Sequence, residues 1–445
     1  MPGSLLALVA KSDEDRHLTG NPQITFWTTA HKRHSNFAIQ RYQITRPTTR
    51  LMSNSVEFNI ESIGDLLRGL TLEIDLPSIE NISGFYTDNV GCAAIDRVEF
   101  IINGQVIQSL WGEWISIYQQ LVEPFGKQDA LGELRGGNLI ITRDGGAGTY
   151  TVAGTEYLAN TVRVPLPFWF SRTSGVALPL VALKHTDVRI RVLLRRFDQL
   201  VYDDTDPTSL ANYTSKSYGS VQLFADVVHL DKEERSSLIE TPLEYLIETV
   251  QRNTKVLSAA RNQLGSRTPQ LRGSTLTPNV VLESIPLQLS MPVKELVWIL
   301  QPEPSPAVWC NLNRNRWLEF PNNEYDASAR PYVDLIQEAT LRVGGQSIFE
   351  NEKSAWFRLE QPIRYHTNVP VLNPQSDSKA IFLHSFAIRP EEYQPSGTLN
   401  FSAVDKAELI LAVSRPGKMY QVVVFAWGYN VLRIQNGLGG LVYSY

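Results

Sequence analysis

Cysteine is nearly absent: Cys92 and Cys310 are the only two in 445 residues. Two thiols so far apart build no disulfide framework, which excludes a small cross-linked secreted scaffold and suits a reducing compartment. No run reaches the ~18 apolar residues that a spanning helix needs, so no transmembrane helix is expected. The stretch from Met1 to Ala10 has no basic n-region and meets Lys11-Ser12-Asp13-Glu14-Asp15, so no signal peptide is expected either. A dominant charge is also missing. Lys+Arg number 41 and Asp+Glu 46, a net −5; a general nucleic-acid binder would be basic, so no specific nucleic-acid partner is expected. The H-E-x-x-H, G-x-S-x-G, Walker A and G-x-G-x-x-G patterns do not occur.

What the chain has is β-rich material for more than one core: 43% hydrophobic residues, 25 prolines and 28 glycines. Its length is about three times the ~150 residues of a typical domain. Short apolar runs such as Leu70 to Leu76 and Val188 to Val192 alternate apolar with polar residues, as strands with one wet face do. Many short strands with Pro/Gly-rich connections favour sandwiches or barrels over βαβ units. Helical signals are few. The spacing of Trp111, Trp114, Ile115, Tyr118 and Leu121 predicts a helix over 111–121, and Asp231 as an N-cap predicts another over 231–238.

An ordered internal repeat is the most informative feature. Leu70–Pro77 resembles Glu295–Pro302, and Phe100–Ile107 resembles Leu341–Ile348 with a Gly-Gln turn in each. Leu178–Val192 then resembles Gly397–Val413, and Val221–Leu230 resembles Val422–Val431. Four matches in one order predict two copies of one β-domain. We divide the chain into an arm (1–17), a first unit (18–230), a linker (231–241) and a second unit (242–445). A repeated domain of this size suggests an all-β fold of two tandem eight-stranded antiparallel jelly rolls, with a few short helices in loops and linker. The Gly-rich stretch Glu123 to Thr161 reads as an elaborated surface loop.

Candidate chemistry is sparse. Of seven histidines only His31 and His34 are close, with no Cys or acid beside them, so a solvated basic segment is favoured over a metal site. Asp203-Asp204-Thr205-Asp206 lacks the Gly and distal Glu of a calcium loop and reads as a solvated turn. Gly437-Leu438-Gly439-Gly440 reads as a terminal turn rather than a phosphate loop. No catalytic residue, metal ligand or cofactor is expected. The segment from Arg16 to Arg50 is different: it holds Arg16, Lys32, Arg33, Arg41, Arg46 and Arg50 and no acid. Such an asymmetry fits anionic lipid headgroups, acidic proteins or nucleic acid, or a basic arm packed on the protein's own acidic surface. Asn81, Asn212 and Asn400 each begin an N-x-[ST] glycosylation pattern, a common one by chance.

Leu18 to Trp27, continuing through Lys32-Arg33-His34-Ser35-Asn36-Phe37-Ala38, resembles the N-terminal signature of the major capsid proteins of nucleocytoplasmic large DNA viruses. Ala177–Leu183, Leu230–Arg235, Glu244–Glu248, Pro292–Trp298, Ser396–Ser402 and Asn430–Leu441 resemble further blocks of that family, in order, over nearly the whole chain. Trp27-Thr28-Thr29-Ala30-His31 departs from the usual second Phe and Tyr, which touches lineage rather than fold. The length resembles the compact algal- and amoeba-virus members.

The resemblance implies a double jelly roll and a non-enzymatic, structural role. Three chains would form a pseudo-hexameric capsomer tiling an icosahedral virion assembled in the host cytoplasm. Partners would be the chain itself, neighbouring capsomers, and minor capsid proteins and the internal membrane through the N-terminal segment. The basic residues would then face inward, and the Gly136–Gly148 loop outward. Two rival readings stay beside this one. A carbohydrate-binding or glycan-hydrolysing β-sandwich would show a sugar between two carboxylates. A low-copy minor capsid paralogue would differ in its number of copies per particle.

Overall fold

Alternation decides the first strands. In Leu66–Leu76 the side chains of Leu70, Leu72, Ile74 and Leu76 are buried, while Thr71 and Asp75 between them are partly exposed. The computed structural model describes residues 8–29, 31–44, 55–60, 63–77, 84–87, 89–136, 160–203, 217–257, 280–302, 318, 335–370, 380–414 and 420–443. These fall into two compact units, Met1–Asn36 and Phe37–Tyr445. The first holds a one-turn helix, Arg16–Thr19, with no buried residue. The second contains both sandwiches.

The main strands of the first sandwich are β1 (Phe37–Ile44), β2 (Ser55–Asn59), β3 (Leu66–Leu76), β4 (Ile95–Ile102), β5 (Gln105–Trp111), β6 (Asn160–Leu166), β7 (Val188–Leu194) and β8 (Val221–Leu230). Those of the second are β9 (Leu243–Val256), β10 (Val280–Pro286), β11 (Pro292–Pro302), β12 (Ile336–Val343), β13 (Gln346–Lys353), β14 (Phe382–Ser385), β15 (Ala407–Ser414) and β16 (Tyr420–Gln435). All pairings among them are antiparallel. The sheets run β1-β8-β3-β6 and β2-β7-β4-β5 in the first sandwich, and β9-β16-β11-β14 and β10-β15-β12-β13 in the second. The order is identical strand for strand, and it is that of a jelly roll.

The repeat extends to irregularities. Between β8 and β3 the register passes from Asp226↔Gly69 to Val227↔Leu67, leaving Arg68 as a bulge. Between β16 and β11 it passes from Trp427↔Glu295 to Gly428↔Val293, leaving Lys294 in the same place. Both β4–β5 and β12–β13 turn through two residues at positive φ, Asn103-Gly104 and Gly344-Gly345. That is the turn whose twist matches the flanking strands. Short strands recur too: Leu178–Pro179 pairs with β3 and Leu399–Asn400 with β11.

Three expectations are corrected. Phe224↔Thr71 and Phe425↔Val297 are equivalent pairs, so Leu70 corresponds to Leu296, not to Glu295. The sequence match of Leu70–Pro77 to Glu295–Pro302 is one residue out of step, and a one-residue slip exchanges the two faces. Secondly, the stretch expected as a loop from Glu123 contains a helix, α2 (Phe125–Leu134), and β6 begins at Asn160. Thirdly, the aromatic helix α1 runs Gly112–Val122, with Trp111 closing β5. The helix expected at the connection is α3 (Lys232–Glu240), capped where Asp231 Oδ1 accepts from the Glu234 N–H at 2.9 Å.

One core lies inside the second sandwich. The other fills the first and continues onto the outer face of the β9-β16-β11-β14 sheet. Strand β11 therefore has no wet face. Leu296, Trp298 and Leu300 enter one core, Val297 and Ile299 the other, and Val293 through Gln301 are all buried.

Candidate functional site: the seam between the sandwiches

The seam is built from α1 and the outer face of the β9-β16-β11-β14 sheet. Helix α1 leaves β5 so tightly that a Cβ at Gly112 would run into the carbonyl oxygens of Cys92 and Ile95. Every residue from Gly112 to Leu121 is buried. Trp114 lies 5.4 Å from Phe425 and 5.7 Å from Trp427, and Tyr118 meets Trp427 edge-on at 5.8 Å. Trp111 completes the group at 6.1 Å from Phe425. Such pairs add ~0.5–1.5 kcal/mol each beyond the area they bury. Burial also pushes the Tyr118 hydroxyl up to about 12.

Charges are enclosed beside the aromatics. The Glu248 carboxylate on β9 accepts from Arg172 of the first sandwich, from Lys294 Nζ at 2.7 Å and from Trp427 Nε1 at 3.1 Å. Lys294 also donates to the Pro390 carbonyl at 2.7 Å and lies 3.5 Å from the Trp427 ring centroid. Burial is the largest influence on this amine and lowers it to about 8, against the pull of Glu248. A second enclosed link joins Arg195 Nη2 to Glu113 Oε1 at 2.6 Å, and Glu113 Oε1 accepts from Gln301 of the second sandwich at 3.3 Å.

His366 sits between two carboxylates, 2.7 Å from Glu295 and 2.9 Å from Glu391. Burial works against its charged form, but Glu295 and Glu391 outweigh it and hold the ring up to about 9. Near it, the Asn368 N–H donates to the Leu121 carbonyl at the end of α1, at 3.1 Å. The C-terminal hairpin closes the other side. It turns at Asn436-Gly437, pairs Leu438–Leu441 back onto β16, and reaches the first sandwich. There Gly437 O accepts from Thr186 Oγ1 at 2.7 Å, and the Leu441 N–H donates to Gln105 Oε1 at 3.3 Å. The reading of Gly437–Gly440 as a terminal turn is corrected: only Gly437 lies in the turn, and Leu438, Gly439 and Gly440 belong to a strand paired with β16, in a hairpin that clasps the first sandwich.

The residues singled out in the sequence lie elsewhere. Arg16, Lys32 and Arg33 are exposed in the first compact unit. Arg41 is on β1, its guanidinium 4.5 Å from the Phe224 ring centroid. Arg46, Arg50, Asn81 and Asn212 lie outside the described residues, as do Cys310 and 137–148. Asn400 is exposed, and its Oδ1 accepts from the Ser402 N–H at 3.0 Å. Among the described residues, no three His, Cys, Asp or Glu side chains are grouped to hold a metal ion. Sequence reasoning found the aromatics of α1 but missed Arg172, Glu248, Lys294, Glu295 and His366. The available signal was a charged pair, Lys294-Glu295, opening an otherwise apolar run.

Comparison with known proteins places these features. Residues 25–231 match the family described as the major capsid protein N-terminus, and residues 234–440 that of the large eukaryotic DNA virus major capsid protein. The major capsid protein of Pyramimonas orientalis virus is 30% identical and that of Phaeocystis pouchetii virus 29%, each alignment covering 100% of both chains. Among solved structures, PBCV-1 VP54 superposes with a TM-score of 0.71 at 24% identity, over 95% of this chain and 100% of that one. The Faustovirus major capsid protein superposes with a TM-score of 0.66 at 13% identity, over 97% and 96%.

Proposed function

This chain belongs to the large eukaryotic DNA virus major capsid protein family, and on that premise we propose that three copies form the pseudo-hexameric building block of an icosahedral shell. Its role is structural, and its place is the virion capsid. The observation that carries the proposal is the identical strand order of the two sandwiches. Three chains of two like sandwiches offer six similar sides, so a three-fold object fills a hexagonal position by closed cyclic symmetry. The interface between chains should exceed the ~1,600 Å² of a standard contact, because a shell needs permanent ones.

The finer assignments follow the same reading. The working units are 18–230 and 242–445, joined by 231–241, with 1–17 as an arm. The chain assembles in the host cytoplasm, meets neighbouring capsomers through its rim and performs no catalysis. Arg16, Lys32 and Arg33, with Arg46 and Arg50, face minor capsid proteins or the internal membrane. Exposed Phe26 and Trp27 lie in the same acid-free segment and suit a surface both anionic and apolar. Arg41, engaged on Phe224, is set apart from that group. Asn81, Asn212 and Asn400 remain glycan candidates by pattern only.

Sedimentation of protein released from particles tests the trimer. The expected mass is three times the 50.1 kDa of one chain, and a monomer at micromolar concentration would contradict it. Limited proteolysis of intact particles tests polarity: cleavage is expected within 136–148 before 16–50, and the reverse order would show the orientation to be wrong.

A further inference from the structure

Helix α2 has no place in either core: none of its residues is buried. It is nonetheless held. Gln128 Nε2 donates to the carbonyls of Gln119, Gln120 and Glu123 at 3.0, 3.3 and 3.2 Å, which pins α2 across the C-terminal end of α1. That placement makes α2 a wall. A cavity of about 460 Å³ opens between α1, α2 and residues of β3, β6 and β8, with Leu131 of α2 in its lining. The volume lies within the ~300–1,000 Å³ of ordinary small-molecule sites.

Polar groups in its lining lack partners. Gln119 is 4% exposed, its carboxamide bonds to nothing among the described residues, and its Oε1 is fully enclosed. The hydroxyl of the adjacent Tyr118 has no hydrogen bond among the described residues either. A buried amide left unpaired costs stability, so a molecule that supplies the missing bond is held the more firmly. Four charged side chains line the cavity, and two of them are engaged: Arg172 on Glu248, and Glu123 on Lys127 at 3.4 Å. Arg68 and Asp226 are exposed, and neither has an ion pair among the described residues. Gly69 follows Arg68, and Asp226 Oδ2 leans over it, 3.5 Å from where a Cβ would stand. The repeat explains the unmatched cation. Arg68 is the bulge residue equivalent to Lys294, but Ile39, paired with Val228, stands where Glu248, paired with Tyr429, answers Lys294. The first sandwich keeps the cation and lacks its carboxylate.

We propose that this cavity binds a small zwitterion, a free amino acid by chemical class, with its carboxylate on Arg68, its ammonium on Asp226 and a polar side chain on Gln119 and Tyr118. The free charges decide the class. One cation and one anion remain, so a simple anion meets Asp226 and a simple cation meets Arg68, each with a repulsion that a dipolar molecule avoids. Arg68 offers a planar fork that takes a carboxylate through two parallel hydrogen bonds. Asp226 accepts from an ammonium, and the carboxamide of Gln119 both donates and accepts, which suits a side-chain amide. Val122 and Leu131 give the carbon chain apolar contact. A bound molecule touches the seam as well, since Tyr118 also meets Trp427 and Arg172 also holds Glu248.

The test titrates the full chain, released from particles, with L-glutamine by isothermal calorimetry. L-Glutamine carries a carboxylate, an ammonium and an amide; glutarate has only carboxylates and cadaverine only amines. L-Glutamine should bind, and the two controls should bind about tenfold more weakly or not at all. Arg68→Gln and Asp226→Asn, both at exposed positions, should each weaken L-glutamine by about tenfold. Lys127→Gln, exposed on α2 and paired with Glu123, should leave its binding unchanged. No heat from L-glutamine at about 10 mM would overturn the proposal, and so would glutarate binding equally well. Trimers that dissociate on Arg68→Gln, in a protein whose native form takes up no L-glutamine, would assign these charges to a contact between chains and remove the site. Should a variant misfold, hydrogen exchange on native protein decides: L-glutamine should slow exchange across 125–134, and unchanged rates there would refute the binding.

Discussion

Phe224 and Phe425 hold the same place in two copies of one fold, each facing outward from the second strand of a four-stranded sheet. Phe425 is fully buried beneath Trp111 and Trp114, whereas Phe224 meets only the guanidinium of Arg41 among the ring contacts of the described residues. One backbone position thus serves an enclosed aromatic contact in the second sandwich and, among the described residues, a partly exposed cation–ring contact in the first. The difference follows from neighbours rather than from the strand. Beside Phe425 stands Trp427, held by Glu248 and Lys294; beside Phe224 stands exposed Asp226.

The enclosed contact should be expensive to disturb at its centre. Trp114→Ala removes the ring that touches both Phe425 and Trp427 and leaves a cavity no neighbour can fill without moving a strand. A loss of ~3–5 kcal/mol is expected. A thermal scan should show the midpoint falling sharply, and a shift no larger than that of an exposed substitution such as Leu438→Ala would contradict this account of the seam.

The enclosed charges make an asymmetric prediction. Glu248 balances two cations, Arg172 and Lys294, while Lys294 answers to one carboxylate that has another partner. Glu248→Ala strands both cations and should cost ~3–5 kcal/mol. Lys294→Met leaves Glu248 paired with Arg172, and should cost clearly less. Urea unfolding of the two variants measures the order, which must be Glu248→Ala the weaker protein.

Much of the fold was legible because the signals were local. Alternation in Leu70–Leu76, the Gly-bearing hairpin turns and the Asp231 cap each act within a few residues. The order of the repeats then supplied the topology. The register of β3 against β11 was not legible, because both segments are apolar and a slip of one residue costs nothing in resemblance. Helix α2 was missed since none of its residues is buried, so it has no apolar stripe to read. Most of the seam was hidden for a different reason. Lys294 and Glu295 look like the wet face of a strand, and only the packing of one sandwich on the other shows that β11 has none. Arg172, Glu248, Glu391 and His366 meet from distant parts of the chain, and no spacing encodes that.

His366 gives a pH dependence with a definite sign. Its folded-state value is raised from 6.5 to about 9 by Glu295 and Glu391 against the cost of burial. A histidine raised in the folded state contributes stability that is complete below the unfolded value and is lost as pH rises through the folded one. The gap in melting temperature between the native chain and His366→Gln should be widest near pH 6 and narrow steadily as pH climbs from 6.5 to 9. Taking the difference isolates this ring from Lys294, whose lowered value acts in the opposite direction at higher pH. A gap that stays constant across that window would show that the imidazolium is not what the two carboxylates hold.

The arm offers the most direct link from charge to attachment. Lys32 and Arg33 are exposed, and no acid lies between Arg16 and Arg50 to cancel them. Each basic residue near an anionic bilayer contributes ~1 kcal/mol, decaying within a Debye length of ~8 Å at physiological salt. Three arms on one capsomer multiply the effect, because the second and third bind at high effective concentration. Lys32→Glu with Arg33→Glu reverses two such contributions per chain at exposed positions that belong to no described strand, so trimers should form with unchanged melting temperature. Flotation with vesicles containing anionic lipid should then drop by at least tenfold, and raised salt should produce a similar loss in the native protein. Vesicles of neutral lipid should bind both proteins equally weakly. If the charge-reversed trimers float as well as the native ones, the basic segment is not a membrane contact, and an acidic minor protein becomes the partner to seek by the same variant.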